Sequence, residues 1–316
     1  MNARASDAAG RLHVHGFLNL NKERGMTSTQ VVRVVKRLTR ARKVGHGGTL
    51  DPEASGVLPV CLGQACRFVD AVIGAGKEYR MTVRLGQATS TYDAEGEVTR
   101  TADASVVDRA SFEAVLERFR GQIQQVPPMY SALKRAGRPL YELARSGVTV
   151  ERAPRPVSIT KLVLARWANP DVELVVECGR GFYARSLAND IGEALGSAAH
   201  LAGLVRTRSG PFRIEESVSV AELERMVNLG NWSERLLPSD FVLGGLRSIV
   251  LDPLLEEKVS HGSPVPVAAW TETDAVDGDR VRLYSTEGRF LALARYDPAG
   301  PSWRPEKVIP EHPTEP

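Results

Sequence analysis

Between Gly16 and Pro52 the chain passes from an alternating stretch, through a basic stretch with helical spacing, into a glycine-rich run ending in Asp-Pro; no other segment restricts the fold as much. Gly16-Phe17-Leu18-Asn19-Leu20-Asn21 alternates in the manner of a half-buried strand. Val31, Val34, Val35 and Leu38 then follow the i, i+3, i+4, i+7 spacing of one helix face, with Ser28 placed to cap the helix. Its remaining faces are basic. Residues 22–43 carry eight Lys and Arg residues (Lys22, Arg24, Arg33, Lys36, Arg37, Arg40, Arg42 and Lys43) against the single acid Glu23, a net of +7. Such a helix suits contacts to phosphate oxygens, which attract Lys and Arg whatever the base sequence. The run Val44-Gly45-His46-Gly47-Gly48-Thr49-Leu50-Asp51-Pro52 is expected to be a loop. Gly47 and Gly48 let backbone approach a ligand closely, and Pro52 pushes Asp51 toward an extended conformation. A carboxylate so presented can serve as nucleophile or base; an Asp-Pro in a glycine-rich loop also serves simply to turn the chain.

Downstream, strands are expected at Tyr79 to Leu85 and Leu174 to Cys178, and helices at Ser111 to Arg120, Leu140 to Arg145 and Ser186 to Leu195. The pattern is α+β. Near Phe241-Val242-Leu243-Gly244-Gly245 the character changes to short alternations: Arg280 to Ser285, a turn through Glu287-Gly288, then Arg289 to Arg295. The 316 residues therefore divide into a flexible tail at 1–13, a large domain at 14–245, a small β-rich domain at 246–305 and a Pro- and Glu-rich tail at 306–316.

Several chemistries find no support. No apolar run approaches the roughly 20 residues that span a bilayer, and the first dozen residues lack the apolar segment of a secretory signal. A cytoplasmic protein with no membrane association is expected. Cys61, Cys66 and Cys178 have neither disulfide nor zinc spacing and read as buried reduced thiols. Gly74-Ala75-Gly76-Lys77 is not a P-loop, Gly45 to Leu50 is not a dinucleotide fingerprint, and the six histidines show no metal-ligand spacing. The adjacent Glu53 makes a poor glycosidase partner for Asp51, because such carboxylate pairs come from separate elements. The formal charge of +3 is too small to attract a polyanion by itself, so any such footprint is local.

Several further runs, taken in order, identify a resemblance. Gly16 to Lys22, Gly25-Met26-Thr27-Ser28, Val44 to Pro52 and Ala54-Ser55-Gly56-Val57-Leu58-Pro59-Val60 open it. Lys77-Glu78-Tyr79-Arg80, Thr91-Tyr92-Asp93-Ala94-Glu95-Gly96 and Pro127 to Lys134 continue it. Gly181-Phe182-Tyr183-Ala184-Arg185-Ser186-Leu187, Asp190-Ile191-Gly192 and Leu204-Val205-Arg206-Thr207 complete it. Over about residues 15 to 245 the chain resembles the TruB family of tRNA pseudouridine synthases, and its end resembles the PUA-like module that often follows. The fold implied is the pseudouridine synthase core, a mixed and mostly antiparallel central sheet with the site in a central cleft, plus the β-rich module.

The same resemblance implies the chemistry. Asp51 matches the catalytic carboxylate, Tyr79 the ring that stacks on the target uracil, and Arg185 the guanidinium that holds Asp51 ionised and aimed. Tyr183 and Leu204 match the other uridine-contacting positions, His46 the side chain that enters the RNA stack where the target base has left, and Lys22 a basic residue supporting phosphate or backbone. The implied partner is tRNA, through its T-loop and T-stem at uridine 55, with no guide RNA, no cofactor and no metal, on a monomer. In one place the sequence departs from the family, which commonly has Pro after the residue matching Lys22; here Glu23 and Arg24 follow.

Overall fold

The computed structural model describes residues 13–131, 133–135, 137–148, 150–266 and 275–310. The chain begins with β1 (Gly16–Lys22), α1 (Ser28–Thr39), a short β2 (Val44–His46), β3 (Ser55–Leu62), α2 (Val69–Gly74) and β4 (Lys77–Leu85). A hairpin of β5 (Gln87–Thr89) and β6 (Val98–Thr101) follows, then α3 (Arg109–Leu116), β7 (Gly121–Gln125), a hairpin of β8 (Lys134–Arg135) and β9 (Arg138–Pro139), and α4 (Leu140–Arg145). The large unit closes with β10 (Arg155–Arg166), β11 (Asp171–Cys178), α5 (Ala184–Ala194), β12 (Ala199–Ser209), β13 (Phe212–Arg213), β14 (Val218–Ser219) and α6 (Val220–Leu229). The smaller unit contains β15 (Arg247–Leu251), α7 (Pro253–Ser260), β16 (Val265–Pro266), β17 (Arg280–Ser285), β18 (Phe290–Asp297) and β19 (Ser302–Val308).

One sheet organises the large unit, in the order β14-β1-β3-β12-β4-β11-β10-β7, with β2 added to β3 and β13 to β12. Only the β1–β14 and β3–β12 ladders are parallel, so the sheet is mixed and mostly antiparallel. Its β4–β11 half follows from simple alternation. Tyr79, Met81, Val83 and Leu85 face the same core as Val172, Leu174 and Val176, covered by Leu187 and Ile191 of α5 and Phe112 of α3. The opposite face carries cross-strand ion pairs such as Arg84 with Asp171 and Arg166 with Glu173.

The β1–β3 half is buried on both faces, which corrects the half-buried reading of Gly16 to Asn21. Leu18, Leu20, Leu58 and Val60 pack under Val31 and Val35 of α1 and Leu223 of α6. Phe17, Val57 and Cys61 pack on the other side with Phe68, Phe212, Leu243 and Leu293, so the small unit contributes to this second cluster. Alternation alone does not reveal that cover, because its residues lie far away in sequence.

The cap of α1 lies one residue before Ser28, the residue expected to supply it. Thr27 is the N-cap, its hydroxyl accepting from Gln30 N while the Gln30 side chain accepts from Thr27 N. A cap of this kind contributes about 1 kcal/mol. Ser28 instead ties the helix to the Asp51 loop, its hydroxyl donating to Leu50 O and accepting from Leu50 N, at 3.0 and 2.9 Å. The glycine-rich run is a loop only from Gly47, since residues 44–46 pair with β3. Among the described residues the small unit is a five-stranded sheet, β15-β17-β18-β19-β16, carrying one helix. Its last strand continues to Val308 through Pro305, three residues into the segment expected to be a tail. Residues 1–12 of the expected first tail and 311–316 of the last lie outside the described residues.

Candidate active site

A cavity of about 1100 Å³ opens where the Asp51 loop, β4, the segment between β5 and β6, and the start of α5 converge. His46, Asp51, Tyr79, Tyr183, Arg185 and Leu204 all line it. Six of the seven residues singled out in the sequence thus meet around one space; the seventh, Lys22, lies behind the loop.

Asp51 is held to Arg185, whose Nη2 lies 3.0 Å from Asp51 Oδ2. The guanidinium is 8% exposed and the carboxylate 41%, so the acid opens toward the cavity while its partner is enclosed. Arg185 lies in the first turn of α5, a place that favours anions over cations. Two carboxylates compensate: Asp51, and Asp93 at 3.5 Å from Nη1. Nη2 also donates to Tyr130 O at 2.8 Å. Burial raises the pKa of Asp51 above the ordinary carboxylate range, opposed by Arg185, reinforced by Asp93 and opposed again by Lys22.

The loop itself is fixed from three sides. Ser28 holds Leu50 through both of its main-chain groups. Lys22 is fully buried and donates to Met26 O, Glu23 O and Pro52 O at 2.6, 2.9 and 3.0 Å. Its ammonium is therefore committed to backbone, and the phosphate alternative does not fit this placement. Burial pushes its pKa down to about 8, against the raising effect of Asp51 and Glu53. Arg206, 1% exposed, donates from Nε to Val57 O at 2.7 Å, from Nη2 to Gly48 O at 3.0 Å and from Nη1 to Thr49 O at 3.4 Å.

Tyr79 is buried in β4 with its ring 6.0 Å from that of Phe182, and burial raises its pKa. Leu204 on β12 is packed against the same core beside it. Tyr183 is the N-cap of α5, with its backbone tied to the Gln125 side chain in both directions. His46 ends β2. Among the described residues its Nδ1 has no hydrogen-bond partner, and burial together with the nearby Arg206 lowers its pKa.

Asp93 and Arg206 carry no assigned role in the sequence reading, although both fall within runs that carry the resemblance. Asp93 is set by its neighbours: Thr91 Oγ1 and Glu95 N both bond its Oδ1, and Tyr92 takes φ +64°, uncommon for a bulky residue. Arg206 lies opposite Tyr79 across the β4–β12 ladder, a placement that no local sequence signal gives. The basic helix keeps Arg33, Lys36, Arg37 and Arg40 exposed. Distant acids do reach part of the basic segment, Glu224 of α6 at 3.9 Å from Arg37 and Glu53 at 2.8 Å from Arg24.

Comparisons with known proteins identify the family. The profile of the TruB family pseudouridylate synthase (N terminal domain) matches residues 36–184, and that of the tRNA pseudouridylate synthase B C-terminal domain matches 185–252. A tRNA pseudouridine synthase B of Burkholderia mallei (strain NCTC 10247) is 46% identical over 286 residues, covering 90% of this chain and 94% of that protein. One of Dehalococcoides mccartyi is 40% identical over 296 residues, covering 94% and 97%. Among solved structures, a chain of a Cbf5-Nop10-Gar1 complex superposes with a TM-score of 0.74 at 29% identity, covering 93% of this chain and 85% of that one. A chain of an H/ACA RNP bound to a substrate RNA containing 2'-deoxyuridine gives 0.71 at 27%, again with 93% and 85% covered. With relatives this similar over nine-tenths of its length, and with both halves of its large unit matched, the chain belongs to the TruB family of pseudouridylate synthases.

Proposed function

We propose that this protein acts alone, as a monomer in the cytoplasm, to isomerise uridine 55 in the T-loop of tRNA to pseudouridine, with Asp51 as the catalytic carboxylate. The observation that carries the reading is the Asp51–Arg185 pair, which presents an anion to a cavity wide enough for a nucleoside. The names of the relatives supply the tRNA substrate.

The reaction breaks the N1–C1′ bond, turns the uracil and rejoins it through C5, with no net redox change. It needs a placed anion near C1′ and C6, a site that excludes water from the detached base, and removal of the C5 proton. Asp51 meets the first need whether it attacks C1′, attacks C6 or assists elimination to a glycal; each route requires it ionised, which Arg185 and Lys22 favour. Everting the base from the RNA stack costs a few kcal/mol. Stacking on Tyr79 and contact with Leu204 offset that cost, His46 fills the vacated place, and the exposed face of α1 takes backbone phosphates. The small C-terminal sheet serves as a PUA-like RNA-binding module.

The test is to give the purified protein an unmodified tRNA transcript labelled with tritium at C5 of uridine, with no other RNA present. Tritium release together with pseudouridine at position 55 is expected. A second reading, a synthase directed by a guide RNA, draws on the likeness to the H/ACA complex. Release only after addition of a guide RNA would favour it, and free uracil as product would favour a hydrolytic glycosidase over both.

A further inference from the structure

Arg206 is a cation enclosed in protein, and among the described residues no carboxylate lies within ion-pair distance of it. Enclosing a guanidinium costs several kcal/mol that well-packed apolar side chains would avoid, so core filling alone accounts poorly for it. Its contacts point elsewhere. Nη2 and Nη1 take the carbonyls of Gly48 and Thr49, just before Asp51, and Nε takes that of Val57, just after it. Its main chain pairs with Gly56 in the parallel β3–β12 ladder. There a Cβ would fall 2.3 Å from Arg206 O, and φ is +102°, so only glycine permits the approach. On the other edge of β12, Arg206 is directly opposite Tyr79, placing the two side chains on one face of the sheet.

We infer that Arg206 is a positioning residue for the reaction: it clamps the Asp51 loop at both ends and fixes that loop's distance from the stacking ring of Tyr79. The inference rests on the function proposed above. Three diverging N–H directions are used at once, two to the loop and one to β3, and the fork of a guanidinium supplies them where an ammonium on a single stem does not. Arg206 does not itself touch the reacting atoms. Its effect passes through Asp51 and Tyr79, and displacements of about 1 Å at a reacting pair cost about 10²-fold in rate.

The experiment compares wild type with Arg206→Lys, which keeps the charge and loses the fork, and with Gly48→Ala. Gly48 has φ +123°, so alanine strains the backbone of the loop where its carbonyl meets the guanidinium, while the added Cβ meets nothing closer than Arg206 Nη1 at 3.7 Å. For each protein, tRNA affinity, the single-turnover rate of pseudouridine formation and the melting temperature are measured. Both variants are expected to bind tRNA within threefold of wild type while the single-turnover rate falls 30-fold or more. A folded Arg206→Lys with a rate within threefold of wild type overturns the inference, as does a parallel loss of affinity and rate in both variants. Should Arg206→Lys fail to fold, Gly48→Ala decides by the same criteria. A wild-type protein without turnover on tRNA sinks the proposed function and the inference together; active wild type with unimpaired variants sinks the inference alone.

Discussion

The chemistry of the site depends on how two carboxylates share one guanidinium. Asp51 and Asp93 both reach Arg185, and Lys22 adds a second cation behind the loop. On the proposed mechanism Asp51 acts ionised, and its pKa is raised, so turnover is expected above that pKa and is expected to be lost as pH falls through it. The acid limb of the single-turnover rate should therefore stand at higher pH than an ordinary carboxylate would give. Asp93→Asn removes a repelling charge and releases Arg185 wholly to Asp51, so the limb is expected to move to lower pH. Lys22→Met removes an attracting charge and should move it the other way. A pH–rate profile on the two variants checks both directions, and a limb that moves the same way in both contradicts the electrostatic account.

At the scale of elements, the Asp51 loop is stabilised by bonds that cross to it from α1. Ser28→Ala leaves both main-chain groups of the buried Leu50 without a partner and is expected to destabilise the protein by about 1–3 kcal/mol, measured by denaturant unfolding. The exposed face of α1 makes a separate claim. Replacing Arg33, Lys36, Arg37 and Arg40 with Gln should flatten the salt dependence of tRNA binding by roughly 0.7–0.9 in log–log slope for each phosphate no longer neutralised; an unchanged slope removes the helix from the interface. These elements also mark how far sequence carries. β4, β11 and α1 are legible because alternation and the 3.6 period are local signals, and each buries one face against a core. Ser28 passes for the cap because Thr27 and Ser28 are both good cap residues; the reciprocal bonds with Gln30 make Thr27 the cap, and the bond to Leu50, 22 residues away, gives Ser28 its separate role. Asp51, Tyr79 and Arg185 are legible through resemblance and not through spacing. Arg206 and Asp93 stand in the same runs without a role: the neighbours of Arg206 are set by the β3–β12 and β4–β12 registers, and Asp93 meets Arg185 of α5 from a loop far away in sequence, neither of which a local pattern encodes.

The whole molecule is joined through one apolar cluster that includes residues of both units. Phe290 and Leu293 of the small sheet pack with Phe68, Phe17 and Phe212 of the large unit, with the Phe68 and Phe290 rings 5.5 Å apart, and Lys307 donates to Arg67 O at the same border. The two units are therefore expected to unfold in a single calorimetric transition, and Phe290→Ala should lower its midpoint without splitting it; two resolved transitions in wild type contradict this coupling. The proposed function requires RNA to deliver a nucleoside to the carboxylate in the central cavity. The most direct measurement is tritium release from C5-labelled tRNA by Asp51→Asn, with tRNA affinity measured alongside. The variant should bind tRNA within a few fold of wild type and release no tritium; release retained at a wild-type rate would contradict the assignment of Asp51.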